Sequence, residues 1–261
     1  MSLRLVRIDP PGTWLQNEAI LDLLKRHRSG KRFLEVGCGA GELSRRLLHA
    51  GYTGTGLDLS AAAVEQAQTK LSPEIAAGRY RLHHGSVDDL VPAEIHDCAL
   101  SIMVIEHIPD DVAFVRTLAR HVRAGGFIVL GVPGRKDRWC LEDETVGHLR
   151  RYDREDLLNV MSEAGLDPIE VWSVSVPIAN LLFHLGNRMI ERSDHETAKR
   201  ELTEQAQTLT SGIREIPFKT VFPVSFRLIL NRWTLWPFFV LQRCFYRSKL
   251  GITLVGIARV S

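Results

Sequence analysis

The stretch Phe33-Leu34-Glu35-Val36-Gly37-Cys38-Gly39-Ala40-Gly41 runs an apolar segment straight into three alternating glycines. Such a run ends a buried strand in a tight turn, because glycine reaches the required backbone angles without a Cβ and lets a ligand approach the main chain. Downstream, Glu42-Leu43-Ser44-Arg45-Arg46-Leu47-Leu48 spaces its apolar residues as a helix, and Tyr52-Thr53-Gly54-Thr55-Gly56-Leu57-Asp58 reads as a second strand ending in a carboxylate. This is a βαβ unit with an acid at the tip of its second strand, where a ribose hydroxyl pair can be gripped.

The glycine turn alone fits nicotinamide and flavin enzymes nearly as well. Its spacing is G-x-G-x-G, however, and Glu42 stands where a dinucleotide fold would place a further small residue. Together with Glu35 inside the strand and Asp58 after it, the turn resembles the first motif of the class I S-adenosylmethionine-dependent methyltransferases. The resemblance continues through His84-Gly85-Ser86-Val87-Asp88-Asp89-Leu90, Asp97, Val104-Ile105-Glu106-His107-Ile108 and Arg123-Ala124-Gly125-Gly126-Phe127-Ile128-Val129-Leu130, and covers roughly residues 31 to 172. It implies an α/β fold: a doubly wound, Rossmann-like, seven-stranded sheet with the last strand antiparallel, plus a helical insertion before that strand. It also implies S-adenosyl-L-methionine as cofactor, held by Glu35, Gly37, Cys38, Gly39, Gly41, Asp58, Leu59, Ser86, Val87, Ser101 and Ile102. Members of the family commonly carry an aspartate where this chain has Ser86, so the adenine contact here lacks charge assistance.

A chain of 261 residues, 45% hydrophobic and 25% charged, is long enough for one good core with an added subdomain. Met1 to Pro11 lacks the apolar core of a signal peptide, and no run reaches the length that spans a bilayer. Cys38, Cys98, Cys140 and Cys244 are scattered, so neither a zinc site nor a disulfide framework is expected, and a reducing cytoplasm is the simplest compartment. A net charge of +2, from 33 Lys+Arg against 31 Asp+Glu, argues against a nucleic-acid binder.

In chain order, Thr13 to Arg28 reads as a helix whose Trp14 or Asn17 either reaches the cofactor or packs. Ser60 to Leu71 reads as a helix with Ser60 as N-cap and Ser72-Pro73 as its stop. Arg79 to His84 and Asp97 to Met103 are the third and fourth strands. Asp110 to Val122 is expected to be helical, ending at the glycines of Arg123-Ala124-Gly125-Gly126, with Phe127 to Val132 as the fifth strand. Arg135 to Tyr152 is polar and has no apolar period, which marks a functional loop. Asp153 caps a helix through Ala164, and Leu166 to Ser173 is the sixth strand. The domain plan is a helical cap over 1–30, the core over 31–174, an insertion over 175–250 and the final strand over 251–261.

The segment Gly147-His148-Leu149-Arg150-Arg151-Tyr152 resembles one found in a bacterial subset of the family that modifies small molecules, glycans or lipids. His148 and His107 are the candidate bases for an acceptor hydroxyl. Arg150, Arg151 and Tyr152 are the candidate acceptor contacts, with one arginine expected to pair with Glu142, Asp143 or Glu144 instead. Ile178 to Gln207 looks helical, with a polar stretch at Glu191 to Glu196. From Ile216 onward acidic residues are absent while arginines and lysines alternate with aromatic residues. Three roles fit this segment: a lid over an apolar acceptor, a peripheral contact with the inner membrane face, or a homodimer interface. The expected reaction is methyl transfer to a hydroxyl or amine of a small, lipid-linked or glycan-linked acceptor. A nicotinamide oxidoreductase and a non-catalytic membrane-docked module are the competing classes.

Overall fold

The computed structural model describes residues 5–8, 10–90, 95–183 and 221–261. Its centre is a seven-stranded sheet of β2 (Arg32–Val36), β3 (Thr53–Asp58), β4 (Tyr80–His84), β5 (His96–Ile102), β6 (Val122–Pro133), β7 (Leu166–Val174) and β9 (Thr253–Val260), in the order β4-β3-β2-β5-β6-β9-β7. All neighbours are parallel except β9, which lies antiparallel between β6 and β7. The expected sheet is therefore present.

The central strands are apolar on both faces, and alternate residues feed two separate cores. Phe33, Cys98, Leu100, Phe127 and Val129 join one core with α1 (Pro11–Arg26) and α2 (Glu42–His49). Leu34, Ala99, Ile128 and Leu130 join the other with α5 (Asp111–Ala119) and α7 (Arg154–Glu163). Helices on both faces are what a parallel sheet requires, since its βαβ crossovers place them there.

Several local expectations are corrected. The helix expected to end at Val122 stops at Ala119, and Val122 already belongs to β6. His96 pairs with Val122 and Cys98 with Phe127, so Arg123 to Gly126 bulge out of the ladder rather than closing a helix. Ser60 caps α3 (Ala61–Lys70) as expected, but Ser72-Pro73 also opens α4 (Ser72–Ala76), because proline is at home in a helix's first turn. The segment expected as a loop contains α6 (Leu141–Val146). A two-stranded ribbon of β1 (Leu5–Arg7) and β8 (Val221–Pro223) had no counterpart in the sequence reading.

Of the expected insertion, 178–183 is helical and α8 (Arg232–Gln242) follows later. The remainder of the helix expected to Gln207, with Glu191 to Glu196, and the first residues of the basic aromatic segment lie outside the described residues. Gln242 is buried between two elements: its amide nitrogen donates to the Leu15 carbonyl at 3.0 Å and its oxygen accepts from the Ser175 amide at 2.8 Å. That bridge fixes α8 against α1.

Candidate active site

Gly37, Gly39 and Gly41 all take positive φ, at 80°, 52° and 77°. A Cβ on Gly37 would strike Val104, whereas one on Gly39 would project into open space. The turn is tied to the next strand by the Gly37 and Cys38 amides, which donate to the Leu57 carbonyl at 2.8 and 2.9 Å. Asp58 then braces it: one carboxylate oxygen accepts from the Gly39 amide at 2.7 Å and the other from Ser60 at 2.8 Å.

Beside this turn lies a cavity of about 750 Å³, within the range of small-molecule sites. Of the residues expected to hold the cofactor, Gly37, Gly39, Asp58, Leu59, Ser86, Val87 and Ile102 line it. The other four expected cofactor residues do not. Glu35 is buried, its carboxylate accepting from Ser44 Oγ at 2.5 Å, and burial pushes its pKa up to about 8. Cys38 is buried beside Gly56, and Gly41 serves α2 as its left-handed N-cap. Ser101 is wholly buried, because alternation along β5 turns Ile102 outward and Ser101 in. Ser86 also spends its hydroxyl on a local cap, accepting from the Asp88 amide at 3.3 Å. Neither Trp14 nor Asn17 reaches the cavity: Trp14 packs edge-on against Phe239 and Asn17 is buried.

The floor of backbone without side chains, the carboxylate at its edge and the room above fit a nucleoside-bearing cofactor. Residues that sequence reasoning missed complete the wall: Met103, which takes φ 57°, Phe114 and Thr117 of α5, and Ile252 and Thr253 at the head of β9. Helical spacing carries the signal for Phe114 and Thr117, since they form the stripe next to the inward Val115 and Leu118.

At the other end stand His107, Asp143, His148 and Arg151. His148 Nδ1 is 2.7 Å from Asp143 Oδ1, and Arg151 Nε donates to both oxygens of the same carboxylate at 2.8 and 2.9 Å. Burial works against the charge on Asp143, yet these hydrogen bonds hold its pKa down at about 2. It therefore accepts from both partners, and the His148 proton sits on Nδ1. His107 Nδ1 faces the Gly147 carbonyl at 3.0 Å, and a carbonyl only accepts, so its proton also sits on Nδ1. Burial and the neighbouring His148 press the His107 pKa down to about 4. The His107 ring, neutral at that pKa, thus keeps an unprotonated Nε2.

Glu106 lies behind them, fully buried and pushed up to about 8 by that burial; neither carboxyl oxygen has a hydrogen-bond partner among the described residues. Its Oε1 is 3.7 Å from His148 Nε2. One ligand atom from each of Glu106, His107 and His148 falls within 4.8 Å of the others, a donor set suited to a metal ion. The sequence reading expected no metal site, because residues 41 positions apart give no ligand spacing.

Two candidate acceptor contacts are corrected. Arg150 turns away from the cavity, donating to Asp111 at 3.1 Å and to the Pro109 carbonyl at 2.9 Å. Tyr152 is buried with its hydroxyl on Asp111 at 2.7 Å. Both pin the loop to the start of α5. The expected pairing of one arginine with Asp143 is found at Arg151.

Residues 14–171 match the family described as methyltransferase domain. Among curated proteins, the chain is similar to a ubiquinone biosynthesis O-methyltransferase of Aromatoleum aromaticum, 27% identical over 188 residues, covering 66% of this chain and 80% of the relative. One of the same name from Nitrosospira multiformis is 28% identical over 187 residues, covering 65% and 77%. Among solved structures, a phosphoethanolamine N-methyltransferase 2 of Haemonchus contortus in complex with S-adenosyl-L-methionine shares the fold at TM-score 0.58 and 19% identity, over 97% of this chain and 53% of that one. A magnesium protoporphyrin IX methyltransferase of Synechocystis does so at TM-score 0.53 and 20% identity, over 63% and 78%.

Proposed function

The chain belongs to the class I S-adenosylmethionine-dependent methyltransferases, and from that premise we propose that it methylates a hydroxyl of a small, hydrophobic acceptor, lipid-linked or glycan-linked, with His148 as general base. The observation that carries this reading is the Asp143–His148 pair: a buried carboxylate holds the ring through Nδ1 in the wall of the cavity. Bound over the glycine turn, S-adenosylmethionine supplies a methyl group already activated by its sulfonium. Gly39 leaves room for main-chain approach, and Asp58 at the cavity edge would take the ribose hydroxyls.

The remaining work falls to the far end of the cavity, which must align the acceptor and exclude water. His148 takes the hydroxyl proton at Nε2, and the resulting imidazolium is stabilised by Asp143. Arg151, already saturated by Asp143 and the Gly134 carbonyl, holds that carboxylate in place rather than binding the acceptor. The relatives' names specify O-methyl transfer, which supports oxygen as the acceptor atom. Calorimetric titration with S-adenosylhomocysteine tests the cofactor: micromolar binding lost in Asp58→Ala is expected. Assay of hydroxylated apolar acceptors with His148→Ala tests the base, and an unchanged kcat would remove it.

A second reading is favoured by the cluster of Glu106, His107 and His148, whose ligand atoms lie within 4.8 Å of one another. A divalent cation held by Glu106, His107 and His148 would acidify an acceptor hydroxyl directly. Activity lost to EDTA and restored by Mg²⁺, Mn²⁺ or Zn²⁺ would select it over the free base.

A further inference from the structure

Helix α8, Arg-Trp-Thr-Leu-Trp-Pro-Phe-Phe-Val-Leu-Gln, is apolar around nearly its whole circumference, yet only Leu235, Phe239 and Gln242 are buried. Their spacing of four and three residues makes one stripe, which packs on α1. The other faces are open to solvent: Trp233 is 78% exposed, Trp236 57%, and Phe238 and Leu241 about two-fifths each. The turn before the helix adds Leu228 at 80% and Ile229 at 61%. A helix without a polar face is expected to be covered on all sides, and an apolar patch of this extent marks an interaction surface.

The charge around the patch identifies what covers it. Residues 221–250 contain Arg227, Arg232, Arg243, Arg247 and Lys249 and no Asp or Glu, in a protein whose net charge is only +2. Arg243 and Lys249 reach back to Asp22 and Glu155 but remain 48% and 83% exposed, so their charge still faces solvent. Tryptophan together with arginine suits the boundary between headgroups and acyl chains, where the rings enter the apolar layer and the guanidinium groups meet phosphate. With no acidic residue in its own segment to offset these cations, the apolar face favours an anionic bilayer over a second copy of this chain, which would set one cationic segment against another. At 11 residues α8 is far too short to span a bilayer, and none of the described helices is long and apolar enough to do so.

We infer that the Leu228–Leu241 face, Trp233 and Trp236 foremost, docks this protein on the surface of an anionic lipid bilayer, with α8 lying in the interface plane. This goes beyond the acceptor reading and does not depend on it.

Co-sedimentation of the full chain with vesicles of phosphatidylcholine, and of phosphatidylcholine mixed equally with phosphatidylglycerol, tests it. Binding to the anionic vesicles only, weakened by salt and reduced about tenfold in Trp233→Ser/Trp236→Ser, is expected. Both substituted side chains are exposed, so the thermal midpoint should hold. Independently of the variant, tryptophan emission of the wild-type chain should shift to the blue and resist acrylamide when anionic vesicles are added. Three results would overturn the inference: no binding to either vesicle, equal binding to both, or a concentration-dependent dimer that the double variant abolishes while vesicles are ignored.

Discussion

At the scale of single residues, three positions combine a stated physical constraint with a clear readout. Gly37→Ala places a Cβ against Val104 on a backbone with φ 80°, so cofactor binding should fall by about tenfold or more, measured by titration with S-adenosylhomocysteine. His148→Ala should lower kcat by about 100-fold or more while leaving that titration unchanged, because the ring stands at the acceptor end. Glu35 offers a test by pH. Its folded pKa of about 8 lies above the ordinary 4.5, so the native state holds an additional proton between those values. The stability it contributes is complete below about pH 4.5 and is lost as pH rises through 8. Glu35→Gln should therefore melt with the wild type at pH 5 and roughly 2 °C or more above it at pH 9, read by calorimetry.

At the scale of elements, the polar segment between β6 and α7 is organised by one buried ion pair. Arg151→Met should cost about 3–5 kcal/mol in urea denaturation, because it leaves the Asp143 carboxylate buried without its guanidinium. Adding Asp143→Asn should return part of that loss, the sign of coupling expected for residues in contact. This segment also shows where the sequence could be read and where it could not. Strands β2, β5 and β6 announce themselves as apolar runs, and the glycine turn and Asp58 place one end of the cavity from spacing alone. The six residues of α6 have no apolar period, because they are held by the Cys140–Asp143 cap and the buried ion pair, both of which need the folded chain. Gly125-Gly126 has the composition of a helix terminus and lies instead in a strand bulge, since glycine serves both conformations equally. Ser101 carries a cofactor contact by motif, and only the finished pleat of β5 decides that it faces inward while Ile102 faces the cavity.

At the scale of the whole molecule, the part beyond Val174 is tied to the core at a few points. Trp172 of β7 stacks on Tyr246 with ring centroids 4.0 Å apart and planes within 10°, and Ser173 donates its amide to the Tyr246 carbonyl at 2.9 Å. Trp172→Ala should lower stability by about 3–5 kcal/mol and open the segment around Tyr246 to limited proteolysis. The sheet order has a further consequence, for synthesis on the ribosome. Within the sheet β7 pairs only with β9, and Thr253 follows Val174 by 79 positions. At common elongation rates that interval lasts roughly 4–16 s. Throughout it the β7 segment of the nascent chain has no partner in the sheet and β6 keeps an open edge, so the order of synthesis leaves unpaired strand groups exposed until the last strand arrives.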